Sequence, residues 1–115
     1  MNAFEGTPPL DRDQLRDVTL NDGELMREIL AALINDTSRQ MLLLATAIDD
    51  QDATRCMHLA HYSKGACANL GANAAADLFR EIERRAARHD FRECKDALGR
   101  LAGEVEVLRS EASTL

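Results

Sequence analysis

Between residues 22 and 112 the apolar side chains recur every three or four positions, and only short polar breaks interrupt them. That spacing is one stripe on a helix of 3.6 residues per turn, not the two-residue alternation of a half-buried strand. The first stripe lies on a helix predicted from about Asp22 to Asp49. It is Met26, Leu30, Leu33, Met41, Leu44 and Ile48, with Thr37 in its gap. The second, over about Ala53 to Leu70, is Cys56, Ala60, Ser63, Cys67 and Leu70, spaced four-three-four-three. The third is Ala75, Leu78, Phe79, Ile82 and Ala86. The fourth is Phe91, Cys94, Leu98, Leu101, Val105, Leu108 and Ala112. Four amphipathic helices with short connections bury their stripes on one another, so the expected fold is all-α, an antiparallel four-helix bundle.

The breaks carry the residues that end and start helices. Asn21 or Asp22 can cap the first long helix, and "DDQD" ends it. Asp52 is placed to cap the second, Gly71 to end it as a C′ glycine, and Asn73 to open the third. "RHD" at 88–90 separates the third from the fourth. "NDTS" at 35–38 is a weak point where the first long helix could bend. Ahead of the bundle, "LDRDQLRDV" reads as a short extra N-terminal helix. Residues 1–9 read as a flexible tail ending in Pro8-Pro9, which leaves 10–115 as the domain.

The chain has 115 residues, which suits a single core. Its 45% hydrophobic and 30% charged residues fit a globular protein and not a disordered one. A net charge of −6 with no basic stripe argues against nucleic acid as a partner. The longest apolar run, "MLLLATAI", is far short of the roughly 20 residues of a membrane span. The N-terminus has no basic-then-apolar signal pattern. Cys56, Cys67 and Cys94 form no CxxC pair, and an odd count without a signal reads as reduced thiols. A cytoplasmic location is therefore expected, and "NDT" at 35–37 is a glycosylation pattern on paper alone.

One short stretch does not follow from packing. "AHYSKGACANLG", residues 60–71, puts a glycine inside a helix, at a cost of about 1 kcal/mol relative to alanine. At 100° per residue, His61 falls roughly opposite the centre of its helix's stripe, and Gly65 lies one turn on along the same outer face. His58 and Ala68 flank them, and Lys64 sits about 60° from His61. An imidazole in water near neutral pH offers a ring nitrogen as a nucleophile, able to accept a phosphoryl group and give it up again. Lys64 can reach that phosphate as a point charge, and Gly65 leaves room for a partner to close over His61. An H-x-x-H zinc site built on His58 and His61 lacks further ligands, since the cysteines of this helix face inward.

"AHYSKGACANLGA" resembles the signature of histidine-containing phosphotransfer (HPt) domains, roughly A-H-x-L-K-G-x-x-x-x-L-G-A. "AIDDQDATRCMHLAH" resembles the stretch leading to that family's histidine. Glu83 in "LFREIE" resembles the glutamate on its next helix, and "PLDRDQL" its short leading helix. The likeness covers about residues 9–110, with Ser63 where the family usually has leucine. The resemblance implies that His61 is the phosphoacceptor, Lys64 the phosphate partner and Gly65 the docking clearance. Met57, His58 and Ala68 would touch the docked partner. It implies a relay in two-component signalling: phosphate comes from an aspartyl phosphate on the receiver domain of a hybrid sensor kinase and passes to the receiver of a response regulator. No Gly-rich nucleotide loop is present, so direct use of ATP is not expected. No cofactor is expected on this chain, and magnesium would come with the receiver. The alternatives are a non-catalytic module that sequesters a receiver or kinase, and a purely structural bundle. The second leaves His61, Lys64 and Gly65 without a reason.

Overall fold

The computed structural model describes residues 7–115, so the first six residues of the expected tail lie outside the described residues. Five helices follow in order: α1 (Arg12–Val18), α2 (Gly23–Asp49), α3 (Ala53–Asn69), α4 (Asn73–Ala87) and α5 (Phe91–Ala112). The long helices pack as a ring in which α3 touches α2 and α4, and α5 touches α4 and α2. Three-residue connections make successive helices antiparallel. The α3–α4 face and the α2–α5 face are therefore opposite sides of the bundle. Among the described residues, no helix is long and apolar enough to cross a membrane.

Three of the five helix starts carry a side-chain cap, whereas α4 and α5 begin after Ala72 and Asp90 with no side-chain cap bond, so Asn73 is the first residue of α4 and not its cap. Asp11, Asp22 and Asp52 each accept the backbone N–H three residues on, at 3.1 Å. The three turns between the long helices repeat one motif, in which the second residue past the C-cap donates to the carbonyl five residues before it. The pairs are Asp52 N–H to Ala47, Ala72 N–H to Cys67 and Asp90 N–H to Arg85, all at 2.9 Å. The left-handed residue is Gln51, Gly71 or His89 in turn. Only the middle turn requires glycine. A Cβ at Gly71 would lie 2.6 Å from the Asp11 carbonyl oxygen. The chain approaches that closely because the Asp11 N–H donates to the Gly71 oxygen at 2.8 Å.

The stripes bury largely as their spacing predicts. Met26, Leu30, Leu33, Leu44 and Ile48 are buried, as are Cys56, Ala60 and Cys67, all five apolar α4 positions, and Cys94, Leu101, Val105 and Leu108. Phe91, Leu98, Ala112, Leu70 and Met41 are only half-buried. Met41 and Leu98 line an apolar groove of about 460 Å³ where α2 and α5 part. "NDTS" does not interrupt α2. Thr37 is buried with its hydroxyl 3.8 Å from Cys67 Sγ, and the Ser38 hydroxyl donates to the Ile34 carbonyl at 2.9 Å. The N-terminal segment is held from Thr7, whose hydroxyl donates to Asp77 at 3.3 Å, and Leu10 and Leu15 are buried. All three cysteines are free thiols in the core, and burial pushes Cys67 and Cys94 up to about 11.

Candidate functional site

The outward face of α3 is set by the burial of Cys56, Ala60, Ser63 and Cys67 on the other side. His61 therefore stands in solvent, with its side chain 68% exposed. Across the α3–α4 seam stands Glu83, one turn past the buried Phe79 and next to the buried Ile82. Its carboxylate joins two residues of α3. His61 Nδ1 lies 2.9 Å from one oxygen, and Lys64 Nζ donates to the other at 2.8 Å. Both Lys64 and Glu83 are about three-quarters buried, at 23% and 24% exposure.

The electrostatics of Glu83 decide the chemistry of His61. Partial burial works to raise the Glu83 carboxyl, but the hydrogen bonds from Lys64 and His61 and their charges outweigh it and hold the group below its ordinary value. Glu83 is thus an acceptor at neutral pH, and the hydrogen between the two side chains belongs to Nδ1. In a neutral ring the lone pair is then on Nε2, which has no partner among the described residues and faces outward. An exposed, tautomer-fixed imidazole beside an ammonium is suited to attack an electrophile carried in by another molecule.

Gly65 is exposed, and a Cβ built on it would have no neighbour within 4 Å. The glycine is not there for helix packing. His58 is exposed on the same face, while Met57 and Ala68 are half-buried against the core. The Ala68 carbonyl is occupied from the other side by the Gln14 amide, which donates at 2.6 Å. Ser63 is buried and its hydroxyl has no hydrogen-bond partner, so it does not bond back to the helix carbonyls. Sequence reasoning matched Glu83 to a family position but did not see it as the bridge between His61 and Lys64. It also did not single out Tyr62, whose hydroxyl donates to Asp36 of α2 at 3.2 Å and ties α3 on its other flank. Among the described residues, no three His, Cys, Asp or Glu side chains converge as a metal site.

The family model described as the Hpt domain matches residues 28–111. Among solved structures, the chain is similar to the crystal structure of histidine-containing phosphotransfer protein B (HptB) from Pseudomonas aeruginosa PAO1. The TM-score is 0.84 at 23% sequence identity, with 95% of each chain covered. No curated protein matches the chain.

Proposed function

We infer that this chain, which belongs to the Hpt domain family, is a phosphorelay intermediate that carries a phosphoryl group on His61 between receiver domains of two-component signalling. The observation that carries this reading is the Glu83 bridge, which keeps hydrogen on Nδ1 and leaves Nε2 in solvent as the nucleophile. In the forward step the Nε2 lone pair attacks the phosphorus of an aspartyl phosphate on the receiver. The N–P bond forms as the acyl P–O bond breaks, and the aspartate carboxylate leaves with its electron pair. The ring becomes a cation whose Nδ1–H is already held by Glu83, which lowers the energy of that charge. The second receiver reverses the step: its aspartate oxygen takes the phosphoryl group and the electrons return to Nε2.

The remaining roles follow from position. Lys64 balances Glu83 at rest and supplies a cation within one turn of His61 for the arriving phosphate, which adds about −1.5 to −2 charges. Gly65 leaves the surface beside His61 low enough for the receiver's phosphorylated aspartate to reach Nε2. Met57, His58 and Ala68 form the nearby contact surface. The magnesium that phosphoryl transfer calls for belongs to the receiver, and no nucleotide site is needed on this chain. One partner is the receiver of a hybrid sensor kinase and the other that of a response regulator.

The test is labelling. A phosphorylated receiver should label the protein in minutes, and ATP alone should not. The label should be acid-labile and base-stable, as a phosphoramidate is, and absent from His61→Gln. Label retained by His61→Gln would move the site, with His58 and His89 the other candidates. Tight receiver binding with no label would make the protein a sequestering module.

A further inference from the structure

The face of the bundle turned away from His61 carries the apolar groove of about 460 Å³ between α2 and α5. Met41, Leu98 and the buried Val105 lie along it. Leu42 stands on its α2 rim with 74% of its surface exposed. Gly99 and Ala102 lie on its α5 side, and both are exposed. Gly99 has nothing within 4 Å of where a Cβ would stand, so packing within the chain does not call for a glycine there. An exposed apolar surface of this kind, rimmed by polar groups, marks a place that another molecule covers.

The charges beside the groove match those of the same chain turned end for end. Lys95 and Glu106 are exposed on α5 toward the two ends of the groove. Lys95 has no carboxylate partner among the described residues. Glu106 accepts from Arg109 Nε at 3.2 Å through one oxygen, which leaves the other to a second cation. At 100° per residue, Lys95, Gly99, Ala102 and Glu106 fall within about 60° of one another and so form one row. A two-fold axis across α5, midway between Gly99 and Ala102, lays the helix antiparallel on its copy. It sets Lys95 of each copy opposite Glu106 of the other, and Gly99 opposite Ala102, where small side chains let the two helices approach closely. Arg92 and Arg109, which the same axis brings level, lie about 50° to opposite sides of the row and diverge. The axis falls close to the middle of α5 (Phe91–Ala112). It also passes near Leu42. Arg27 of α2 reaches the Leu115 carbonyl, and counting equally inward along the antiparallel helices from that pair brings Leu42 level with residue 100.

We propose that a second copy of this chain covers the groove, in a two-fold dimer with antiparallel α5 helices, Leu42 at its centre and Lys95–Glu106 pairs between the copies. The area suffices. The 22 residues of α5 run about 33 Å, and two packed helices about 9 Å apart are about 19 Å wide. The flat projection is about 600 Å², of the same order as the ~800 Å² that each partner gives to a standard interface. A receiver or kinase seated in the groove would not require the charges of α5 to complement themselves. His61 is on the opposite face, so the dimer presents two such histidines outward, each open to a receiver as in a single chain.

The experiment is sedimentation velocity on the full chain from about 1 µM to about 1 mM. The variants are Leu42→Glu, Lys95→Glu and Glu106→Lys, all at exposed positions, with folding checked by circular dichroism. Wild type should pass from monomer to dimer within that range. Leu42→Glu should raise the dimer Kd at least about tenfold. Lys95→Glu and Glu106→Lys should each dimerise less well alone, because each then sets like charges opposite one another. Glu106→Lys also moves the acidic chain toward neutrality, which would strengthen non-specific association, so its weakening is the specific sign. An equimolar mixture of the two should recover the wild-type Kd as a heterodimer, since each copy supplies the charge that the other lacks. Wild type that stays monomeric at the highest concentration overturns the proposal. So does a Leu42→Glu dimer of unchanged Kd, and so does a mixture no tighter than its components. Monomeric wild type in which Leu42→Glu weakens the binding of a receiver domain would give the groove to that receiver and refute the dimer.

Discussion

Three helical glycines, Gly65, Gly99 and Gly103, have nothing within 4 Å of where a Cβ would stand. Replacing any of them by alanine should stabilise its helix by about 1 kcal/mol, and by glutamine by roughly half as much. For a chain of this size, that is about 4 °C and 2 °C in Tm. On stability alone the three positions are equivalent, and function should separate them. Gly65 lies one turn from His61 on the face a receiver must approach, whereas Gly99 is on α5 beside the α2–α5 groove. A glutamine at 65 would have to fold away from an aspartyl phosphate seeking Nε2. A tenfold slowing requires only about 1.4 kcal/mol, and forcing a side chain into a close-packed contact typically costs about 1–3 kcal/mol. Gly65→Gln should therefore melt at or slightly above the wild-type temperature and transfer phosphate at least about tenfold more slowly, while Gly99→Gln shows the same melting shift and normal transfer. Thermal melts and single-turnover transfer from a labelled receiver measure both quantities. A lowered Tm in Gly65→Gln would make the glycine a packing residue. Normal transfer in that variant, or an equal slowing in Gly99→Gln, would remove the receiver from this face.

Glu83→Gln should lose the fixed tautomer, visible as a shift of the His61 ring nitrogens in NMR. It should also abolish a stability increment that wild type holds above the ordinary carboxyl value of 4.5 and loses as pH falls through the lower folded value; a wild-type advantage that grows on acidification contradicts this. Lys64→Ala should shorten the life of phospho-His61 and slow transfer severalfold. His58→Ala should alter receiver affinity and leave that lifetime alone, and the reverse pattern would strip Lys64 of its role. Ser63→Ala removes a buried hydroxyl that lacks a partner and should raise stability by about 1 kcal/mol, read as a higher Tm; a lower one would mean that the hydroxyl is satisfied.

The helices and their buried faces were legible because periodicity reports one helix at a time. Gly65's outward direction followed from the stripe of α3, and the open space beside it agrees. What was not legible depends on how two helices are rotated against each other. Glu83 is 22 residues from His61, and no spacing rule states that its carboxylate meets Nδ1. The half-burial of Met41 and Leu98 has the same origin, since each lies on its stripe but α2 and α5 part there. The buried Ile34, Ala47 and Ala97 widen their stripes beyond the positions first read, because a ring of four helices buries more than one row on each.

The clasp made by α1 has a consequence for wiring. Asp11 and Gln14 bind the end of α3, Thr7 binds the start of α4, Arg12 binds Glu111 near the end of α5, and Arg27 of α2 reaches the Leu115 carbonyl. The first and last described residues therefore sit at one pole of the bundle. His61 is at the midpoint of α3, eight residues from either end, about 12 Å from that pole along the axis. Cargo attached next to Thr7 or Leu115, whether a fluorophore, a surface tether or another folded domain, hangs from the pole and leaves the waist open for two receivers to visit in turn.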